Sequence, residues 1–259
     1  MSHINRFIDN VVQHISCCLT IVRTIHRNIH GTKLEDDVYV LDKLISTGSI
    51  CIDMGASYGR FTLIMSRLAG ANGQIYSFEP GHYSYKVLSS TVRFHRLKNV
   101  ILIKKALSDK EGTTELVTPI KKTKKLGHAL AYLKCDHKEE CNIEKIKTTT
   151  LDNYFFKENI PRVDFIKCDI EGAELLALRG ARDIITRHKP IVLCEISVLA
   201  LKGKFNSTPE QVYDFFHQLN YKVFILNKNK MEEVKNVNRD DNYFFIHCQS
   251  EALNKITKG

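Results

Sequence analysis

Residues 49–59 read SICIDMGASYG, an apolar run that ends in the acid Asp53 and is followed by two glycines, Gly55 and Gly59. A short apolar run is typical of a buried strand, and the glycines allow a sharp turn and the close approach of a ligand to the backbone. The next residues, Phe61 to Ala69, have the periodicity of a helix. The segment therefore predicts a strand, a tight turn and a helix, with a carboxylate at the end of the strand.

The alternation of strands and helices continues towards the end of the chain. Further strands are predicted at residues 74–79, 100–106, 164–169, 191–195, 221–226 and 243–248, a small extra strand at 113–117, and helices at 84–95, 151–157, 173–187 and 209–219. Strands that alternate with helices form a mostly parallel sheet, and the last two strands are joined without a helix, so that one of them runs antiparallel. We therefore predict an α/β, Rossmann-like fold whose seven-stranded, mostly parallel sheet has one antiparallel strand and helices on both faces.

The first 47 residues form a separate unit in this prediction. Apolar residues recur at spacings of three and four between residues 3 and 30, and a short helix is expected at Val38 to Ser46. The long helix could pack on its own domain, form a homodimer through a helix–helix seam, or lie on a membrane surface, which its few arginines make the weakest alternative. The predicted organisation is an N-terminal helical extension, residues 1–47, and an α/β domain, residues 48–259.

The composition is that of an ordinary globular protein. Apolar residues make up 43% and charged residues 26% of the chain, which excludes disorder, collagen-like repeats and a coiled-coil rod. No apolar run approaches the ~20 residues that a transmembrane helix needs, and we expect no cleavable leader. The eight cysteines form no paired framework and several lie in apolar strands, which favours a reducing compartment, the cytoplasm. The net charge of +9 favours polyanionic partners only weakly.

Acidic residues follow several of the predicted strands. In doubly wound sheets, ligands bind beyond the carboxyl ends of the strands, and here those ends are Asp53, Glu79, residues 106–109, residues 169–171 and Glu195. Carboxylates that crowd together repel one another unless a cation, a metal or a shared proton offsets the repulsion. The candidate site is therefore expected at this edge of the sheet.

Asp53 and the glycines after it favour S-adenosylmethionine as the ligand. The segment lacks the G-x-G-x-x-G pattern of dinucleotide-binding folds, and an acid two residues before the first glycine is a poor neighbour for a pyrophosphate. S-adenosylmethionine carries a sulfonium and an α-amino group, while its carboxylate can accept backbone N–H groups at the start of the helix. Glu79, which ends the next strand, can accept both ribose hydroxyls. The alternative is a tight turn with two solvated carboxylates.

Residues 164–174, with the sequence DFIKCDIEGAE, provide candidate catalytic residues. The predicted strand is followed by two acids, Asp169 and Glu171, and Asp169 is expected at the centre of the open end of the sheet, facing the methyl donor. Glu174 lies in the first turn of the next helix, where a carboxylate also suits the helix dipole. Lys167 lies within the strand and is expected to be a buried, paired amine.

These motifs resemble those of the FkbM family of S-adenosylmethionine-dependent methyltransferases. The matching segments are 52–59 (IDMGASYG), 78–80 (FEP), 106–112 (ALSDKEG), 150–152 (TLD), 164–174 (DFIKCDIEGAE), 178–181 (LRGA) and 190–195 (PIVLCE). They lie between about Val38 and Glu195, and the D-x-E-G-x-E stretch together with L-x-G-A is the distinctive part. Ser57 departs from the family, which usually has Asn there, and this departure concerns a side-chain contact.

The resemblance implies a class I methyltransferase fold and a set of site residues. The cofactor-binding residues that it implies are Asp53, Gly55, Ala56, Ser57, Tyr58, Gly59, Glu79, Pro80, Ala106, Leu107, Ser108 and Asp169. The implied reaction is O-methylation of a hydroxyl on a sugar, glycan or other small molecule. The regions that the resemblance leaves out are expected to choose the acceptor, and among them the lysine-rich connection 121–147 is expected to be a solvated loop or a lid.

Two acids at adjacent strand ends, Asp169 and Glu195, are candidates for activating the acceptor. A neutral hydroxyl is a poor nucleophile and needs a general base or a metal ion to lower its pKa. Asp169 and Glu195 could bind Mg²⁺ through their oxygen atoms, or one of them could act directly as the base. We expect Asp169 to carry the role, supported by Glu171 and Glu195, and we assign no residue as a metal ligand.

Two other functions remain open. An RNA methyltransferase would account for the positive charge, although the lysines are not interleaved with the aromatic residues that single-stranded RNA recognition normally uses. A catalytically silent binding protein could keep the fold and bind a partner through the N-terminal helix, but the intact acids argue against it. A nicotinamide-dependent dehydrogenase is disfavoured by Asp53 and by the missing middle glycine.

Overall fold

The computed structural model describes residues 36–119, 131–133, 141–228 and 230–257. These residues form twelve strands: β1 (Ile50–Met54), β2 (Gln74–Phe78), β3 (Val100–Ile103), β4 (Ala106–Leu107), β5 (Gly112–Pro119), β6 (Tyr132–Leu133), β7 (Cys141–Thr149), β8 (Phe165–Cys168), β9 (Ile191–Ile196), β10 (Tyr221–Asn227), β11 (Lys230–Val234) and β12 (Asp241–His247). They also form nine helices: α1 (Asp36–Leu44), α2 (Arg60–Ala69), α3 (His82–Phe94), α4 (Leu151–Glu158), α5 (Glu174–Arg179), α6 (Arg182–His188), α7 (Val198–Phe205), α8 (Pro209–His217) and α9 (Ala252–Thr257).

A sheet of eight strands lies at the centre of the molecule, in the order β11-β10-β12-β9-β8-β1-β2-β3. Strands β1, β2, β3, β8 and β9 are mutually parallel, whereas β12 is antiparallel to both of its neighbours and β11 is antiparallel to β10. From β1 the chain builds outward through β2 and β3 and then crosses back to β8. The switch point of the sheet therefore lies between β1 and β8, where a ligand crevice is expected, and the predicted doubly wound α/β fold is confirmed.

The predicted strand count is wrong by one. The sequence predicts seven strands with one antiparallel member, whereas the central sheet has eight with two antiparallel members. The additional strand is β11, which pairs with β10 at the edge of the sheet. Its residues, KMEEV, are exposed or half-exposed throughout, so they lack the apolar run that marks a buried strand.

Helices cover both faces of the central sheet, as the sequence predicts. Side chains alternate along each strand, so that Ile52 of β1 packs into the core beneath α4, α5, α6 and α8, while Cys51 packs into the core beneath α1, α2 and α9. In β9, Val192 belongs to the first core and Leu193 to the second. The acids at the strand ends are therefore presented at the edge between two packed cores.

A second, smaller sheet forms from the chain between β3 and α4, in the order β4-β7-β5-β6. Its main part is the antiparallel pairing of β5 with β7, from Gly112 opposite Thr148 to Pro119 opposite Cys141. The sequence predicts only a small strand at 113–117 and a loop at 121–147, so the loop prediction is wrong for β6 and for most of β7. Most side chains of β7 are exposed or half-exposed, and its composition therefore resembles that of a loop. Residues 120–130 and 134–140 of this connection lie outside the described residues.

Two predicted elements are divided in the structure. The third predicted strand ends at Ile103, and Ala106 begins β4 in the second sheet. The helix predicted at 173–187 consists of α5 and α6, with Gly180 between them. A Cβ on Gly180 would clash with the carbonyl oxygen of Ser108, so this glycine allows the end of α5 to pack against the chain that follows β4.

The predicted N-terminal extension lies mostly outside the described residues, and the helix predicted at 3–30 lies entirely outside them. The short helix expected at Val38 to Ser46 is α1, which begins and ends two residues earlier. Its Leu41 is fully buried in the core that α1 shares with α2 and α9. Among the helices that the structure describes, none has the length and apolar character needed to span a membrane.

Candidate active site

A cavity of about 280 Å³ opens at the carboxyl ends of β1, β2, β8 and β9. The second sheet contributes one of its walls through Leu116, Ala131, Tyr132 and Leu133. The predicted site residues that line it are Asp53, Gly55, Ala56, Ser57, Tyr58, Glu79, Pro80, Ala106, Leu107, Asp169, Glu171 and Glu195. Gly59 and Ser108 lie outside this set: Gly59 is the N-cap of α2, and Ser108 donates its backbone N–H to the carbonyl oxygen of Thr149.

The turn after β1 brings the ends of three strands together. Gly55 has a φ of +81°, and a Cβ there would clash with the carbonyl oxygen of Asp169, which follows β8. The N–H groups of Gly55 and Ala56 both donate to the carbonyl oxygen of Phe78 in β2. The predicted approach of a ligand to this glycine, which lines the cavity, stays a prediction, and the structure adds that the backbone of Asp169 lies where its side chain would begin. The glycine therefore allows the turn after β1 to lie directly against the segment after β8, which carries Asp169.

Asp53 is buried near the end of β1 and is held by the helix that follows. Its carboxylate accepts a hydrogen bond of 2.5 Å from the hydroxyl of Thr62, whose oxygen also lies 2.9 Å from the hydroxyl oxygen of Ser77. Burial raises the pKa of Asp53 to about 6, although the Thr62 hydrogen bond and the charge of Lys167 oppose this shift. A positive charge on a ligand in the cavity would favour the ionised form of Asp53.

Glu79 follows β2 and is held by backbone groups on both sides. Its Oε2 accepts the N–H of Ser57 and its Oε1 accepts the N–H of Gly81, each at 2.9 Å. Burial raises the pKa of Glu79 to about 8 against the effect of these two hydrogen bonds. A carboxylate has about four lone-pair positions, so Glu79 can accept further hydrogen bonds from hydroxyl groups of a ligand.

Asp169 and Glu195 converge above a buried lysine. The side chain of Lys167 is 1% exposed, and its Nζ lies 3.7 Å from Oδ2 of Asp169 and 3.8 Å from Oε2 of Glu195. The two acids are 35% and 52% exposed, so they reach the cavity while the ammonium lies beneath them. Burial, and then the charge of Asp169, raises the pKa of Glu195 to about 7. Burial on its own would lower the pKa of Lys167. The negative charges of Asp169 and Glu195 outweigh this effect and raise the pKa, so the lysine stays charged.

Glu174 is buried beneath the loop between β8 and α5 and accepts hydrogen bonds from its backbone. Its Oε1 accepts the backbone N–H groups of Ile170 and Gly172, each at 3.1 Å, and its Oε2 is buried with no hydrogen-bond partner among the described residues. Burial raises the pKa of Glu174 to about 7. Beyond suiting the helix dipole, as the sequence predicts, this carboxyl group therefore fixes the loop that carries Glu171 and follows Asp169.

Lys204 of α7 connects this loop to the second sheet. Its Nζ lies 3.9 Å from the centroid of the Tyr132 ring and donates to the carbonyl oxygen of Glu171 at 3.2 Å. The sequence predicts neither α7 nor a role for Tyr132, because β6 has only two residues and no motif marks it. Arg60 and Lys105 also line the cavity without a signal in the sequence. One side of the cavity is thus closed by elements that only the three-dimensional structure reveals.

Asp169 and Glu195 do not suit a Mg²⁺ ion between them. The ammonium of Lys167 already lies 3.7–3.8 Å from both carboxylates, so a divalent cation bound there would face a like charge. Mg²⁺ also requires near-octahedral coordination, and the described part of the chain contains no group of three or more His, Cys, Asp or Glu side chains suited to a metal. Among the described residues, this part of the cavity therefore does not offer the ligand set that Mg²⁺ prefers.

Comparison with known sequences relates the chain to methyltransferases. The Methyltransferase FkbM domain matches residues 53–223. Methyltransferase sdnD of Sordaria araneosa is 28% identical over 176 residues, which cover 59% of this chain and 67% of that protein. The catalytic subunit TRM61 of the tRNA (adenine(58)-N(1))-methyltransferase of Yarrowia lipolytica is 37% identical over 76 residues, which cover 28% of this chain and 20% of that protein.

Comparison with solved structures supports the same fold. Methyltransferase FkbM from Methylobacillus flagellatus KT superimposes with a TM-score of 0.51 at 16% sequence identity, over 78% of this chain and 44% of that one. At this identity the likeness concerns the fold alone, and it confirms the predicted class I methyltransferase fold. The chain spans less than half of that structure and a fifth of TRM61.

Proposed function

Since the chain belongs to the FkbM methyltransferase family, as its motifs predict, we propose that it is an S-adenosylmethionine-dependent O-methyltransferase that acts on a hydroxyl of a sugar, glycan or other small molecule. The observation that carries this proposal is the convergence of Asp169 and Glu195 on the cavity that Glu79 and the β1 turn also line. A donor-binding half and a proton-accepting half thus face the same space.

The donor half is formed by the β1 turn, Glu79 and the start of α2. When bound, S-adenosylmethionine supplies a methyl group that its sulfonium has already activated. Glu79 accepts the ribose hydroxyls with the lone pairs that its backbone hydrogen bonds leave free. Asp53 provides negative charge for the cationic end of the donor, and the N-terminus of α2 with Arg60 provides N–H groups and a positive charge for the carboxylate.

The proton-accepting half is the pair Asp169–Glu195. The efficiency of a general base is greatest when its pKa lies near the working pH, and the pKa of Glu195 is about 7. Glu195 would take the hydroxyl proton as the acceptor oxygen bonds to the methyl carbon, while the bond from that carbon to sulfur breaks and leaves the donor as a neutral thioether. Asp169 beside it would help to orient the acceptor hydroxyl. The two acids also orient the acceptor oxygen towards the donor half, which is the positioning that an in-line displacement requires.

An RNA acceptor is the second candidate. It is supported by the net charge of +9 and by the similarity of 76 residues to a tRNA methyltransferase subunit. Each phosphate that a protein neutralises releases counterions, so RNA binding would weaken steeply with added salt. Binding of a small neutral acceptor would change little over the same salt range. A catalytically silent binding protein, the third alternative, would transfer no methyl group to either.

Location and assembly also remain proposals. We propose a cytoplasmic location, which is supported by the cysteines: Cys51, Cys168 and Cys194 are buried as free thiols in strands of the central sheet. A homodimer through the N-terminal helix stays a prediction, since that helix lies outside the described residues.

A labelled-methyl transfer screen tests the proposal. Donor with a labelled methyl group is offered with sugars, lipids and RNA, with and without Mg²⁺, to the wild type and to Glu195→Gln. We expect label in a hydroxyl-bearing small molecule without a need for Mg²⁺, and a rate about 10²–10⁴-fold lower in the variant, while donor affinity measured by calorimetry stays within twofold. Label in RNA alone would favour the second candidate, and a wild type that binds no donor would overturn the proposal.

A further inference from the structure

Lys167 lies in the middle of the central sheet, with its ammonium group beneath the two candidate catalytic acids. Its side chain is 1% exposed, and its Nζ lies 4.9 Å from the centroid of the Phe61 ring. Nζ has no hydrogen-bond acceptor within the described ranges, although an ammonium group carries three N–H donors. A buried charge of this kind persists only when nearby opposite charges compensate for its lost hydration.

The titratable groups that face Lys167 come from three strands. They are Asp53 from β1, Cys194 and Glu195 from β9, and Cys168 and Asp169 from β8 itself or directly after it. From α2 the group in contact is the uncharged ring of Phe61. The two ion-pair distances, 3.7 Å to Asp169 and 3.8 Å to Glu195, are nearly equal, so the ammonium compensates both acids at once.

Strand register fixes the position of Lys167. Its Cα pairs with that of Asp53 in β1 and with that of Leu193 in β9. A surface lysine can swing away from a carboxylate, but a lysine held between two parallel neighbours with its side chain buried cannot. The charge therefore stays beneath the acids whatever occupies the cavity.

We propose that Lys167 is a positioning residue for proton transfer: its fixed positive charge holds Asp169 and Glu195 side by side and keeps the pair able to accept a proton. Without the ammonium the two carboxylates would repel each other, and one of them would retain a proton at neutral pH. A pair that already holds this proton is a weaker base towards the acceptor, because only one ionised carboxylate remains. The catalytic part of this inference rests on the proposed function, whereas the electrostatic part does not.

Unfolding in urea at several pH values tests the proposal without donor or acceptor. Four proteins are compared: the wild type, Lys167→Met, Glu195→Gln and the double variant. Methionine has a similar length to lysine and no charge, so it fills the same space. We expect the loss of an opposite charge at this distance to raise the pKa of Glu195 by about 1–3.

The sign of the effect follows from linkage. A carboxyl group whose pKa is raised on folding stabilises the protein below its unfolded pKa, and this contribution is lost as the pH rises through the folded pKa. In the wild type, this stabilising contribution of Glu195 decreases between the ordinary pKa of a glutamate and the folded pKa of Glu195, about 7. In Lys167→Met the decrease continues to higher pH. The urea midpoint of the variant should therefore fall further below that of the wild type between pH 7 and pH 9. This additional fall should be absent when residue 195 is glutamine.

An equal difference in midpoint at pH 6 and pH 9 would make Lys167 a structural ion-pair partner only and would overturn the proposal. Should Lys167→Met not fold, the ¹⁵N shift of its Nζ in the wild type decides instead. We expect that shift to move with a midpoint near the pKa of Glu195, about 7, and to stay constant in Glu195→Gln; a constant shift in both proteins would equally overturn the proposal. Calorimetry of donor binding to the wild type tests the proposed function separately, so the failure of either can be recognised.

Discussion

The carbonyl oxygen of Asp169 occupies the space in which a side chain on Gly55 would begin. Strands β1 and β8 pair in parallel up to Met54 opposite Cys168, and the N–H of Asp169 donates to the carbonyl oxygen of Met54 at 3.1 Å. The proposed donor turn and the proposed proton-accepting pair, through its member Asp169, therefore share one boundary. A change at this boundary is expected to affect both halves of the site.

Gly55→Ala is expected to lower donor affinity more than tenfold. The alanine would need a φ of +81° and would clash with the backbone of Asp169, and a left-handed conformation costs a non-glycine residue roughly 1–2 kcal/mol before any clash. Calorimetry with S-adenosylmethionine measures the affinity, and thermal unfolding measures the loss of stability. Gly203→Ala is the control, because nothing lies within 4 Å of a Cβ at Gly203 in α7. Equal donor affinity of the two variants would show that the turn tolerates a side chain.

Glu79→Gln is expected to weaken donor binding about tenfold or more. Hydrogen bonds to a charged group contribute about 1.5–3 kcal/mol each, and about 1.4 kcal/mol corresponds to a tenfold change in affinity. Because the pKa of Glu79 is raised to about 8 and its ionised form is the better acceptor, wild-type affinity should increase from pH 7 to pH 9. The glutamine variant should lose this pH dependence.

A second carboxylate serves as the control for that measurement. Glu111 is 41% exposed and pairs with Lys157 at 2.9 Å, and it does not line the cavity. Glu111→Gln should therefore bind the donor as the wild type does at every pH. A flat pH profile in the wild type would contradict the role of Glu79 in donor binding.

Glu174→Gln is expected to reduce the pH dependence of stability. Burial raises the pKa of Glu174 to about 7 in the folded protein, so the wild type loses a stabilising contribution as the pH rises from 5 to 8. Glutamine keeps an oxygen for the N–H groups of Ile170 and Gly172 and does not titrate. The free energy of unfolding of the wild type should therefore fall, relative to the variant, by on the order of 2 kcal/mol over this range. Urea unfolding at pH 5 and pH 8 provides the values, and parallel curves would show that Glu174 does not titrate there.

Tyr132→Ala is expected to raise the KM for the acceptor about tenfold, or about 1.4 kcal/mol, and to leave donor affinity unchanged. The ring lines the cavity, and Nζ of Lys204 lies 3.9 Å from its centroid. The proposed donor-binding groups, Asp53 and Glu79, lie instead at the ends of strands of the central sheet. Tyr132→Phe keeps the ring and the cation–π contact, so the acceptor KM of this variant separates the effect of the ring from that of the hydroxyl group. A larger effect on donor affinity than on acceptor KM would place Tyr132 in the other half of the site.

The sequence predicts the parts of the site that consecutive residues build. The glycines and acids of 53–59 and 169–174 are close together in the chain, and these segments lie at the carboxyl ends of β1 and β8 as expected. The contact at Gly55 could not be predicted from local sequence, because it involves the backbone of Asp169, which is more than 100 residues away in the chain. What each of these residues binds stays a prediction.

Contacts between distant segments are the part that the sequence does not reveal. The approach of Lys167 to Glu195 depends on the register of β8 against β9, which no local pattern encodes. Tyr132 reaches the cavity from a strand of two residues, and such a strand is defined by its partner β5 and not by its own side chains. The edge strand β11 pairs through its backbone, so its charged composition gives no sign of it.

The second sheet comes from one uninterrupted passage of the chain, between β3 and α4, whereas the acids belong to the central sheet. Under the proposed function, chimaeras that carry this passage from one relative on the scaffold of another are expected to change their acceptor preference. Because the passage also brings Ala106 and Leu107 of β4 into the cavity, such an exchange would alter the wall shared by both halves of the site.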